Sequence, residues 1–313
     1  MNGVIALGRH AGPFLDQPIH AVHVDPQVVL GDLSVMHTML TQQLAVQGPL
    51  VVIYPARLGD APAKALSTVR TALDGAPILW HATTLPPLAA DVLVTLAAAL
   101  HGPLGGSAVV SAALALLERQ IVHLTWLSRV SGLTEPAPTV WQHAQSALPH
   151  TSWLVSSWPQ PTIRRLALDD PPPVPRPSQE VGVVLADLDG DVSWVSPVVT
   201  RRLAQAVGLE VPPPTDTAAW WGAKRVTQVV LYPRSVDLLA AALRPHLDPG
   251  SCSWCRRMVG SEICPWCGLP RNGLTRLDEG RRAEGLDEVF IDGVADMGDG
   301  RHGVAEHGEA MSE

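Results

Sequence analysis

Through the first 168 residues, short β-branched runs alternate with stretches whose apolar residues return at helical spacing. Residues 4–7, 19–24, 50–54 and 78–81 read as strands, with helices over 33–46 and 63–73 between them. Helical spacing continues over 88–100, 108–127 and 139–147, and 152–156 returns to a strand. Strands separated by helices of about 10–15 residues predict crossover units on a mainly parallel sheet. A ligand pocket in such a sheet belongs at the carboxyl ends of its strands.

Between Asp91 and Glu118 no Asp, Glu, Lys or Arg interrupts the chain. The run is long enough to cross a membrane, which needs about 20 apolar residues. However, His101, Gly102, Pro103, Gly105 and Gly106 divide it into two halves that are each too short, both rich in alanine. Closely packed buried helices are the expectation, without a membrane span. The N-terminus lacks a basic stretch followed by a long apolar one, so no secretory signal is expected and the chain reads as cytoplasmic.

Residues 169–180 (DDPPPVPRPSQE) carry five prolines in twelve positions and predict a semi-rigid linker between domains. Beyond it, 181–195 (VGVVLADLDGDVSWV) supports two readings. Asp189-Gly190 between two β-rich runs is a strong hairpin signal. The same stretch resembles the first motif of haloacid-dehalogenase-type phosphatases, which implies Asp187 as nucleophile and Asp189 as acid/base. Asp191 departs from that pattern, where a hydroxyl residue is usual.

Composition changes the picture less than the location of the charge. Of the net −8, all of it resides in residues 284–313, where nine acids face Arg301 alone. The body is neutral, unlike a protein that binds nucleic acid along its length. One local surplus remains: residues 252–282 hold six arginines against Glu262, Asp278 and Glu279. Two lysines in 313 residues, with abundant Ala, Pro, Arg and Val, suggest a bacterial or phage source. No phosphate loop, dinucleotide fingerprint, nucleophile elbow or zinc-protease motif is present in the sequence, and no residue is assigned a catalytic role.

The clearest chemistry is a quartet of cysteines. Cys252-Ser-Trp-Cys255 and Cys264-Pro-Trp-Cys267-Gly268 are two CxxC pairs, eight residues apart. Two such pairs at close range have the spacing of a tetrahedral four-thiolate site. Iron, two disulfides or redox thiols are the alternatives; a large chain without an export signal disfavours the last two. The segment Cys252–Gly268 resembles a zinc ribbon with rubredoxin-type knuckles, which implies structural Zn²⁺. Its first knuckle departs from that pattern, because Arg256 stands where glycine is usual.

The resulting expectation is an α/β protein. Residues 1–168 form an α/β domain, 169–180 a proline-rich linker, 181–247 a smaller α+β segment, 248–275 the ribbon and 276–313 a flexible, disordered acidic tail. The function expected is that of an interaction adaptor. Trp254, Trp266, Arg256, Arg257 and Arg271 on the ribbon would meet a protein or nucleoprotein partner, with nucleic acid touched through the ribbon only. An enzyme using the N-terminal α/β domain, or the phosphatase at Asp187 and Asp189, is the alternative.

Overall fold

A computed structural model describes residues 3–7, 21–146, 148, 151–157, 160–166, 180–196, 199 and 206–272. Within the first part, β1 (Val4–Leu7), β2 (Val22–Val24), β3 (Leu50–Pro55) and β4 (Ile78–Thr83) form one sheet in the order β2-β1-β3-β4, every pairing parallel. Unbroken apolar runs such as Val4–Leu7 suit strands covered on both faces. One cover is made of α1 (Pro26–Gly31), α2 (Leu33–Gln47) and α3 (Ala61–Ala72). Local chemistry sets their ends. Asp25 and Asp32 cap α1 and α2 by accepting the N–H of Gln27 and Ser34, and α2 stops at Gly48 with φ +75°.

The other cover is α4 (Pro87–Leu104) and α5 (Ser107–Arg119). Pro87 opens α4 where a missing N–H costs nothing, and Gly105 closes it in the left-handed conformation with φ +87°. The expected break is therefore narrower than 101–106: His101, Gly102 and Pro103 stay inside α4, and the chain turns at Gly105 and Gly106. α4 is long and apolar enough to span a membrane, yet 72% of it is buried inside the protein. Its environment explains the composition, since a helix packed on all sides is apolar on all sides.

What packs on its far side is a second sheet. This contains β5 (Val122–Leu127), β6 (Trp153–Ser156), β7 (Thr162–Arg165), β8 (Val181–Leu188), β9 (Ala206–Val211) and β10 (Val226–Pro233), in the order β7-β6-β5-β10-β8-β9. Four pairings are antiparallel, and β8–β9 alone is parallel. Val4, Val51 and Ile53 of the first sheet, Leu93 and Leu96 of α4, and Val184 and Val230 of the second sheet share one apolar core. The fold is thus α/β, with a parallel N-terminal sheet and a separate mixed sheet sandwiching a helix pair. α6 (Val140–Gln145), α7 (Thr217–Trp221) and α8 (Val236–Leu243) flank the second sheet, and β11 (Gly250–Ser251) pairs with β12 (Met258–Val259) near the end.

Three expectations need correction. Residues 122–127 form β5, not the end of a helix running to 127; α5 ends at Arg119, and the alternating Val122-His123-Leu124-Thr125-Trp126 that follows pairs with β6 and β10. Strands from both sides of 169–180 join one sheet, so the prolines do not divide the sheets as the linker expectation required. Finally, Asp189-Gly190 is no hairpin. β9 runs parallel to β8, and Trp194 and Val199, which lie between them in sequence, are buried with Val181 and Val183 of β8. The tail 276–313 and most of 169–180 lie outside the described residues.

Candidate ligand cleft and metal centre

The carboxyl ends of β3 and β4 face the second sheet's loops. Pro55 ends β3 and leads into a 3-10 turn at Ala56–Leu58 that carries Arg57. β4 ends in buried Thr83, whose hydroxyl accepts the N–H of Leu85, and Thr84 follows at the surface. Across from them stand α7 and the loop after β5. Those two are held together by Gly132 and Gly222: a Cβ on either would lie within 2.5 Å of the other's carbonyl oxygen. Gly222 also ends α7 with φ +58°, so the close approach and the backbone both require glycine.

Between these walls lies a cleft of about 280 Å³, lined by Ala56, Arg57, Thr84, Thr134, Glu135, Ala219 and Trp220. Arg57 forms an ion pair with Asp216, and its guanidinium lies 4.5 Å over the Trp220 ring. A first-lobe cation is thereby joined to two second-lobe side chains. Beneath them, Trp221 donates to Gln228 (3.2 Å) and Gln228 donates to Thr217 (3.1 Å), which fixes α7 on β10. His123, tilted against Trp221, is pushed down to about 4 by burial. Sequence reasoning placed a pocket at the strand ends but missed Arg57, Asp216 and Trp220. The strand-end rule alone pointed to the region, and only the tertiary fold brings 57 to 216.

The cysteines meet as their spacing expects. All four sulfurs lie within 4.8 Å of one another, with Cys252–Cys267 at 3.8 Å and Cys255–Cys264 at 3.6 Å. A tetrahedral ion with metal–sulfur bonds of about 2.3 Å requires sulfur–sulfur edges of about 3.8 Å. The cysteines are free, far beyond the disulfide length of about 2.05 Å. The thiol of Cys252 is lowered to about 7, chiefly by the N–H of Cys255, whereas burial pushes Cys264 up to about 12.

The two knuckles repeat each other bond for bond. Arg256 N–H donates to Cys252 O as Gly268 N–H does to Cys264 O. Cys252 N–H donates to Arg257 O as Cys264 N–H does to Leu269 O. The indoles then tie the halves together: Trp254 donates to Pro270 O and Trp266 to Met258 O, equivalent carbonyls of opposite knuckles. Arg256, at φ +61°, takes the left-handed conformation that Gly268 takes at +73°.

The apolar side of this ribbon is already covered by the chain itself. Cys252, Val259, Cys264 and Trp266 belong to the central core. Gly260 sits on α5, where a Cβ would come within 2.8 Å of Val109 Cα, and Arg70 of α3 donates to Trp266 O. Of the residues expected to meet a partner, Trp266 is 8% exposed and Trp254 51%. Arg257 lies over Trp266, and Arg271 is bound to Asp248 through both its side chain and its carbonyl.

No protein-family model and no curated protein matches the sequence. Among solved structures, a DegV-family protein of Corynebacterium glutamicum is similar, with a TM-score of 0.51 at 10% identity, covering 73% of this chain and 95% of that one. A structure described as a fatty acid (stearic acid)-binding protein from Eubacterium ventriosum has a TM-score of 0.50 at 12% identity, covering 74% and 98%. The chain shares the fold of these proteins. That likeness overturns the adaptor reading and its protein and nucleoprotein partners, and the buried ribbon face gives the physical reason. The phosphatase reading falls with it. Asp187 accepts from the Thr227 hydroxyl (2.6 Å) and Gly190 N–H (3.2 Å), closing the turn after β8, while Asp189 takes φ +50° at its tip.

Proposed function

We propose that this chain binds an acyl carboxylate, a fatty-acid-like amphiphile, in the cleft between its two lobes. The observation that carries the reading is the cleft's place: carboxyl ends of parallel strands, bridged to the second lobe by a cation and an indole. One protein sharing the fold is described as a fatty acid (stearic acid)-binding protein, which agrees with such a ligand. The cysteines have a separate task in this reading. Cys252, Cys255, Cys264 and Cys267 hold a structural Zn²⁺ that closes the ribbon and leaves no open coordination position. Four reduced thiols belong in a reducing, cytoplasmic compartment.

Organic extraction of the purified full-length chain, followed by mass spectrometry, should recover a bound acyl acid. Delipidated protein should bind saturated acids with a change in Trp220 fluorescence that Trp220→Phe removes. Until the cleft is filled, each added methylene should tighten binding by ~0.8 kcal/mol, about fourfold. Saturable binding at no chain length would overturn the proposal.

A further inference from the structure

The charges around the cleft suggest how a headgroup is chosen, an inference that rests on the acyl-carboxylate reading above. We propose that Arg57 is the receptor for the ligand's carboxylate, and that Asp216 is a built-in competitor which occupies this cation until the ligand displaces it. Three observations converge. Arg57 is among the lining residues and comes from the first lobe, whereas Asp216 and Trp220 come from the second. Its side chain and that of Asp216 are 37% and 38% exposed, so water screens the pair and little free energy is lost when it opens. The guanidinium, its Cζ 4.5 Å from the centre of the Trp220 ring, gains there a second contact that restrains it. Its edge can then receive a carboxylate through two parallel N–H bonds, a geometry a lysine does not offer.

The exchange conserves charge. One carboxylate leaves the guanidinium as another arrives, and the released Asp216 carboxylate gains water. Glu135 on the rim opposes any second negative charge, which favours a monoanionic acid over a phosphorylated head. Thr84 and Thr134, one from each lobe, add hydroxyls at the same mouth.

The test compares a saturated fatty acid with the fatty alcohol of equal length on the delipidated full chain, by titration calorimetry. Asp216→Asn keeps the shape and removes the competitor; it should tighten the acid by about two- to fivefold and leave the alcohol unchanged. Arg57→Met should weaken the acid by about 10- to 100-fold, with little effect on the alcohol. Arg57→Lys keeps charge and fold and should recover part of that loss. A wild type that binds the acid while these variants bind it equally well would overturn the receptor role and leave the cleft reading standing. A wild type that binds neither compound overturns both. Thermal unfolding of each variant identifies losses due to misfolding, in which case the Lys variant decides.

Discussion

Arg256 shows how one side chain departs from its local geometry. The backbone there is left-handed, and an L-residue with a Cβ costs about 1 kcal/mol in that conformation relative to glycine. Its exposed side chain makes no compensating contact among the described residues. Arg256→Gly should therefore stabilise the ribbon by about 1 kcal/mol, read as slower zinc loss to a competing chelator. Unchanged or faster loss would contradict this. At this scale the sequence was informative for the ribbon, because CxxC spacing and the missing glycine are local and each constrains a few consecutive dihedrals. It was silent on the cleft. Arg57 is an ordinary arginine in a turn, and its importance arises only where Asp216 and Trp220 arrive from 159 residues away or more.

Helices and strands were legible in proportion to the locality of their signals. Gly105 and Gly106 marked the C-terminal end of α4, while Pro103, expected to break the helix, stays inside it; unbroken apolar runs identified β1 and β3. β5 was lost although Val122-His123-Leu124-Thr125-Trp126 alternates apolar and polar positions as a strand does; the helical spacing of α5 was carried past its true end at Arg119. The hairpin at Asp189-Gly190 failed for another reason. The dipeptide specifies a tight turn, and Asp187 does close one, but where the next strand pairs is a long-range decision. The contact between the ribbon and α5 is likewise invisible in sequence and depends on one missing side chain. Gly260→Val places branched carbon against Val109 and Ala112 and should cost about 1–3 kcal/mol of docking. Hydrogen exchange should then rise across residues 250–272 while the second sheet keeps its protection; uniform protection would refute the contact's importance.

Across the whole molecule, the ribbon and the cleft sit on different elements yet share a core. Cys252, Cys264 and Trp266 pack in the same apolar cluster as α4, α5 and the facing strands of both sheets. If the four sulfurs hold the proposed zinc, its removal should therefore do more than loosen residues 250–272. A zinc chelator should lower the melting temperature of the whole chain and raise protease sensitivity near 250–272, since structural zinc supplies on the order of 10 kcal/mol to such a lobe. If chelation removed zinc without either change, the ribbon would be an appendage. The division of sheets was the least legible feature, because strands from both sides of the prolines meet only through β5 and β10.

The bond from Arg70 to the Trp266 carbonyl closes a loop of 196 residues. On a ribosome adding about 5–20 residues each second, α3 waits roughly 10–40 s for that cover to be synthesised. During the interval Val109 and Ala112 of α5 face the crowded cell without the glycine that will lie on them. A message truncated before codon 252 would yield every strand of both sheets and a permanently uncovered helix, a species suited to chaperone capture. A segment made after both sheets thus covers a helix made long before it, and a chain released without that segment carries a visible mark of its loss.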